Sequence, residues 1–252
     1  TVTRRTGPAP CSSFVPSAAS PTGRRVPEGD ALHRAAERLR ALEGEVVAVE
    51  TPHPRAAVLR LSERLDGLRL ERVEAVGKNL LLGFEGGLTL RSHLRMRGRW
   101  RVEDAGTEPR GTPWLVLRGR TRQAVLWNGP VLELTRGRSP AVARLGPDVM
   151  ADPPDIDGMV ARFRAGPQSR AVGDALLDQR LVSGIGNMWK AEVLFVSETS
   201  PWRPLSDLDD AALRRVLREA ARLMHAGRPE RRVYRRADQF VAEGHYAPSR
   251  PE

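Results

Sequence analysis

The sequence predicts an α+β chain of two domains, an N-terminal β-sandwich with flanking helices followed by a helical domain. Three observations carry that prediction. Between residue 45 and about residue 134, short apolar segments alternate with turn residues, the texture of a sandwich or barrel. After Pro147 and the Pro153-Pro154 break, the pattern turns helical. Within that second half, residues 174–195 read as two short apolar helices pinched around Gly184-Ile185-Gly186-Asn187.

The 252 residues are enough for two modest domains with cores of their own. A hydrophobic share of 40% against 29% charged residues describes a soluble globular chain. No apolar run approaches the ~18–20 residues of a membrane span. The net charge of +10 and a pI near 11.1 call for an anionic partner, and nucleic acid is the expectation. Lysine occurs only at Lys78 and Lys190, so arginine supplies nearly all the positive charge, a skew typical of a GC-rich genome. Cys11 is the single cysteine, which excludes an internal disulfide and a thiolate-rich zinc site within the chain. A reducing cytoplasm is the expected setting.

Residues 1–26 are rich in Pro, Ser, Thr and Arg without hydrophobic period, and read as a disordered extension rather than a signal peptide. Order is expected from Pro27. Leu32, Ala35, Ala36, Leu39 and Leu42 recur at helical spacing, with Pro27 in the first turn and Gly44 as the stop. Strands are expected at 46–49, 79–84, 88–94, 114–117 and 124–127. Leu80, Leu82 and Phe84 alternate up to Gly86-Gly87, and Leu88 and Leu90 continue the alternation, so the second and third form a hairpin. These elements divide the chain into a sandwich domain over 27–148 and a helical domain over 149–227. The clearest helix there covers 207–226, with Ser206 as N-cap and Gly227 at its exit. Residues 228–252 are basic, polar and irregular.

The Gly184–Asn187 turn carries the first functional signal. Glycines two apart, followed by an asparagine able to cap a helix, leave backbone N–H groups facing outward. Such N–H groups and the helix dipole favour a phosphate. The same Gly-Ile-Gly pattern also occurs in helix–hairpin–helix turns, which grip DNA backbone without chemistry.

Three motifs occur in order: Val26-Pro27-Glu28-Gly29-Asp30 before a helix, Gly77-Lys78-Asn79 before a hairpin, and residues 181–192 as a helix–two-turns–helix. In this order and spacing the chain resembles the Fpg/Nei family of base-excision DNA glycosylases over roughly residues 27–239. The Glu-Gly-Asp after the proline is similar to the endonuclease VIII branch, which implies oxidised pyrimidines as preferred bases.

The resemblance implies a role for each residue. Pro27 would be the nucleophile, a secondary amine that attacks the sugar C1′ and forms an iminium; an α-amine titrates near pH 8, so part of it is unprotonated. Glu28 would be the general acid/base at the opening sugar ring, although by spacing alone it also reads as a first-turn carboxylate complementing the dipole. Asp30 would support the helix N-terminus. Lys78 would contact phosphate and sugar at the lesion, against the reading of a solvated turn lysine. Asn187, with the amides of Gly184 and Gly186, would grip the phosphate beside the extruded nucleotide; as an ordinary N-cap it could still do so. His93, Arg95, Met96 and Arg97 match the loop that fills the gap left by the extruded base, with Met96 as wedge and the arginines facing the orphaned partner base. The competing reading makes Met96 a core residue, and His93 a structural histidine. His33, His53, His225 and His245 show no metal-like spacing.

Two departures from the family pattern matter. An internal proline nitrogen is an amide without nucleophilic character, so activity requires exposure of Pro27, either by initiation at Val26 and removal of the initiator Met or by proteolysis. The family's four-cysteine zinc finger has no counterpart: residues 233–239 look like its lead-in, and residues 228–252 would be its remnant. The expectation is therefore a bifunctional glycosylase/AP lyase with damaged double-stranded DNA as partner, no cofactor, no membrane and a monomeric state. The alternatives are a non-catalytic or truncated relative, and a structural RNA-associated protein.

Overall fold

The structure, a computed structural model, describes residues 27–227. The readings made for 1–26 and 228–252 lie outside the described residues.

The chain opens with helix α1 (Gly29–Leu39), prolonged by a 3-10 turn at Arg40–Leu42. Its face of Leu32, Ala36, Leu39 and Leu42 is buried, as the helical spacing required. Pro27 does not sit in the first turn: Glu28, in extended conformation, is the N-cap, and Pro27 precedes it. There follow β1 (Ala48–Glu50), the short helices α2 (Pro54–Ala57) and α3 (Leu61–Leu65), then β2 (Leu70–Val76), β3 (Asn79–Phe84) and β4 (Leu88–His93). The domain is completed by β5 (Arg99–Asp104), β6 (Leu115–Arg118), β7 (Arg122–Trp127), β8 (Val131–Arg136) and the short α4 (Pro140–Ala143).

Among the described residues, eight strands form two antiparallel four-stranded sheets, ordered β1-β6-β7-β5 and β2-β3-β4-β8. Leu80, Leu82, Phe84 and Leu90 of one sheet share a core with Leu115, Leu117, Ala124 and Leu126 of the other, and α1 adds its apolar face to the same core. Sequence reading missed β2, β5 and β8. All three are edge strands whose runs Leu-Glu-Arg-Val-Glu-Ala-Val, Arg-Trp-Arg-Val-Glu-Asp and Val-Leu-Glu-Leu-Thr-Arg carry charges on the face turned from the core. β2 also slips register between Leu70 and Arg72, which blurs its period.

The second domain packs α5 (Ile156–Ala165), α6 (Val172–Leu177), α7 (Asn187–Val196) and α8 (Asp210–His225) around fully buried Phe163 and Trp189. Helix α8 begins three residues after the expected start. Asp209 is its N-cap, accepting from Ala212 N–H at 2.6 Å, whereas residues 205–207 make a separate 3-10 turn and the Ser206 hydroxyl bonds Asp207. An aspartate, which also complements the helix dipole, takes the capping position expected of Ser206.

Leu82 is fully buried on a central strand between the sheets, whereas Val58 after α2 is 75% exposed. Leu82→Ala is expected to cost about 2–5 kcal/mol of unfolding free energy and Val58→Ala less than about 0.5 kcal/mol, as read by urea denaturation.

Candidate active site at the junction of the two domains

The two domains meet where α1 and α7 begin. Glu28 stands at the N-cap of α1, yet its side chain does not cap that helix. It reaches across to α7 instead. Oε2 accepts from Gly186 N–H at 2.9 Å and Trp189 N–H at 3.2 Å, and Oε1 accepts from Met188 N–H at 2.8 Å. Helix α7 has Gly186 at its N-cap and no capping side chain of its own. The carboxylate from the other domain therefore satisfies donors that a helix start leaves open, where the dipole favours negative charge. Glycine at 186 gives this carboxylate its room, because a Cβ there would lie 2.3 Å from the Glu28 carboxyl carbon and displace it.

Two neighbouring bonds reinforce the junction. Gly29 N–H donates to Gly184 O at 3.0 Å, and the Trp189 indole Nε1–H donates to Asp30 Oδ1 at 3.0 Å. Arg34, one helical turn on, donates to Asp30 Oδ2 at 2.7 Å. Asp30 thus does more than support its own helix, since it ties α1 to the core of the helical domain.

These contacts correct the expectation of outward amides at the turn. Gly186 N–H is taken by Glu28, and Gly184 N–H donates to Gln179 Oε1 at 3.0 Å. The anion seated on this turn is the protein's own carboxylate. Asn187 is the first helical residue rather than the N-cap; it is exposed, and its Oδ1 accepts from Lys190 Nζ at 3.3 Å. Its amide side chain is accordingly displayed at the surface, one residue beyond the carboxylate.

Lys78 belongs to the two-residue turn Gly77-Lys78 that joins β2 to β3, with Val76 facing Asn79. It is half-buried rather than solvated. Burial pushes its ammonium below the usual 10.5, and the nearby Glu28 carboxylate works against that shift. Burial likewise raises Glu28 above 4.5, opposed by the three N–H donors and by Lys78. One cause thus draws the acidities of two neighbouring groups toward each other.

Arg95-Met96-Arg97 forms the exposed tip between β4 and β5, with Met96 63% exposed, so Met96 is not a core residue. The tip is closed at its foot by Gly98 N–H to Leu94 O at 2.8 Å, with Leu94 buried. Arg95 N–H donates to His93 Nδ1 at 3.0 Å. Burial, then Arg95, Arg91 and Lys78, lower His93 to about 4, so the ring is neutral and able to accept that bond. A cavity of about 250 Å³ connects the foot of this loop to Pro27; Asp30, Arg34, Trp100 and Met188 also line it.

The structure brings Pro27, Glu28, Lys78, His93 and the start of α7 to one junction, with Arg95, Met96 and Arg97 projecting beside it. Sequence reading missed Trp189 and Asp148. The Asp148 carboxylate accepts from Gly77 N–H and from His33, and no spacing signal pointed to it. It also missed Glu192 on α7, which is buried.

A β-sandwich joined to a helix–two-turns–helix domain through buried carboxylates, with an exposed Arg-Met-Arg tip, has the architecture of two-domain DNA-lesion glycosylases. Residues 26–130 match the formamidopyrimidine-DNA glycosylase N-terminal domain, and residues 145–230 match the formamidopyrimidine-DNA glycosylase H2TH domain. The probable endonuclease 8 2 of Streptomyces coelicolor is 39% identical over 228 residues, covering 86% of this chain and 81% of the relative. The DNA-(apurinic or apyrimidinic site) lyase Nei2 of Mycolicibacterium smegmatis is 34% identical, covering 73% of this chain and 72% of the relative. Among solved structures, Lactococcus lactis Fpg in complex with a DNA containing N7-benzyl-Fapy-dG has the same fold, with a TM-score of 0.68 at 20% identity over 79% of this chain and 78% of that one. The chain belongs to the Fpg/Nei family of DNA glycosylases.

The four-cysteine zinc site that the resemblance brings with it does not fit this sequence, whose one cysteine is Cys11. Among the described residues no group of three or more His, Cys, Asp or Glu side chains could hold a metal ion, and no helix is long and apolar enough to cross a membrane.

Gly186→Ala is expected to expel the Glu28 carboxylate and to cost at least about 2 kcal/mol of stability by thermal or urea unfolding, because a buried charge loses its donors. Burial raises Glu192 from 4.5 to about 7. Between those values the folded protein holds a proton that the unfolded chain has released. Its contribution is therefore full below 4.5 and is lost as pH rises through 7. Glu192→Gln is expected to raise unfolding free energy at pH 8 by up to about 3 kcal/mol while changing it little at pH 4.5.

Proposed function

We propose that this protein is a bifunctional DNA glycosylase/AP lyase that removes oxidised bases, mainly pyrimidines, from duplex DNA through an N-terminal Pro27. The observation that carries the reading is the placement of Pro27: it directly precedes a carboxylate that is locked onto α7 and close to half-buried Lys78, and it lines the cavity at the foot of the Arg95–Arg97 tip. The relatives named endonuclease 8 and AP lyase support the same chemistry.

In this reading the Pro27 secondary amine attacks C1′ and the C1′–N bond to the damaged base breaks, the base leaving with a proton. Glu28, its acidity moved toward neutrality by burial, supplies the proton to the sugar ring oxygen as the ring opens. The resulting iminium acidifies the C2′ proton. Its removal expels the 3′ phosphate, a second elimination expels the 5′ phosphate, and water then releases Pro27. Lys78 holds phosphate and sugar at the lesion, and the exposed Asn187 amide holds the flanking phosphate. With Gly184 and Gly186 N–H groups engaged internally, the glycines serve the close approach to Gly29 and Glu28, and the side chain of Asn187 makes the contact. Met96 enters the stack where the base leaves, with Arg95 and Arg97 at the orphaned base. Flipping costs a few kcal/mol of stacking, which such a wedge offsets in part. The protein works as a monomer on cytoplasmic, nucleoid DNA without a cofactor.

Borohydride trapping on an abasic-site duplex tests the reading. A chain beginning at Pro27 is expected to give a covalent adduct, and the same chain with an acetylated N-terminus, or the full 252 residues with Pro27 internal, to give none. Tight binding by the free-Pro27 chain with no adduct would leave a DNA-binding relative without catalysis.

A further inference from the structure

We infer that Asp148 is a positioning residue for Lys78: its carboxylate holds the turn that projects the lysine against the domain junction. This rests on the reading that Lys78 contacts DNA phosphate. Asp148 lies between α4 and α5, on the connection between the two domains. Its Oδ2 accepts from Gly77 N–H at 2.7 Å and pairs with His33 Nε2 on α1 at 2.9 Å; its Oδ1 accepts from Met150 N–H at 2.9 Å. One side chain thus engages the lysine turn, the first helix and its own connection.

The backbone around Asp148 is fixed as well. Ser183 N–H donates to Pro147 O at 2.9 Å and Val149 N–H to Ser183 O at 3.1 Å, so residue 148 lies parallel to Ser183, immediately before the Gly184 turn. Gly77 touches the same place: with φ at +57°, a Cβ added there would lie 2.8 Å from Ser183 Cβ. Among the described residues no side chain forms a hydrogen bond or ion pair with the Lys78 ammonium. Its location is therefore set by the two-residue turn, and the N–H preceding Lys78 in that turn is held by Asp148.

The charge of Asp148 makes the inference sharp. Removing a negative charge near bound DNA favours binding on electrostatic grounds alone. If Asp148 acts through Lys78, its neutralisation has the opposite effect. In Asp148→Asn the charge that draws Gly77 N–H and His33 is lost, and a single amide oxygen cannot serve both their side and Met150 N–H, so the hold on the turn weakens. Asp148→Ser, smaller and still able to accept from Met150 N–H, serves as a second variant should the first fold poorly; melting temperatures are recorded for all variants.

The experiment measures affinity of the full chain for a duplex with a stable abasic-site analogue across a salt series, by fluorescence anisotropy. Lys78→Ala is expected to weaken binding about tenfold and to reduce the slope of log K against log salt by about one. Asp148→Asn is expected to reproduce both effects, and to add less than about twofold in a Lys78→Ala background. A purely structural role would lower the melting temperature and leave the salt slope unchanged. That outcome overturns the inference, as does a full, multiplicative Asp148→Asn effect in the Lys78→Ala background. If Lys78→Ala itself leaves slope and affinity unchanged, the proposed DNA contact of Lys78 fails and this inference fails with it.

Discussion

The Glu28 carboxylate on the N-terminus of α7 is the constraint on which the rest of the site depends. A carboxylate taken out of water loses several kcal/mol of hydration unless donors replace it. The start of α7 provides three backbone N–H groups and the positive end of a helix dipole. The helix in turn has no capping side chain, so each side of the junction completes the other. Much of the surrounding sequence follows from this pairing. Gly186 gives the carboxylate room, Gly29 lets its N–H meet Gly184, and Asp30 anchors the indole of Trp189. Pro27, one peptide bond from Glu28, is placed by the same contact.

Around this point the site divides into an interior that discourages charge and a rim that displays it. Burial raises Glu28, lowers Lys78 and holds His93 neutral. Arg95, Met96, Arg97 and Asn187 are exposed beside them. A basic protein facing a polyanion can use both regions: the rim attracts phosphate over several ångströms, while the interior keeps titratable groups close to the point of proton exchange.

How much of this was legible in the sequence depended on how local each signal was. The β3–β4 hairpin was read to within a residue, because Leu80, Leu82 and Phe84 alternate up to Gly86-Gly87. Helix α1 was legible through its 3.6-residue period. The edge strands β2, β5 and β8 were not, since their outward charges mask the alternation. At the site, motif order pointed to Pro27, Glu28 and Lys78, but no local pattern states that the partner of Glu28 lies at Gly186 or that Asp148 reaches Gly77. Those contacts join residues 158 and 71 positions apart. The Gly184–Asn187 turn shows the limit plainly. Its geometry announced an anion-binding helix start, and it is one, but the anion turned out to be covalently part of the same chain.

That long separation has a consequence for how the protein comes into being. Contacts between distant positions close large loops and form late in folding. Glu28 can reach α7 only after the sandwich and the helical domain have each acquired their shape, because one supplies the carboxylate and the other its donors. Until then Pro27 has neither a fixed position nor a neighbour of shifted acidity. A half-made or partly unfolded molecule would therefore carry the same residues without the contacts that bring them together. The geometry of the junction is thus a property of the finished fold and of neither domain alone.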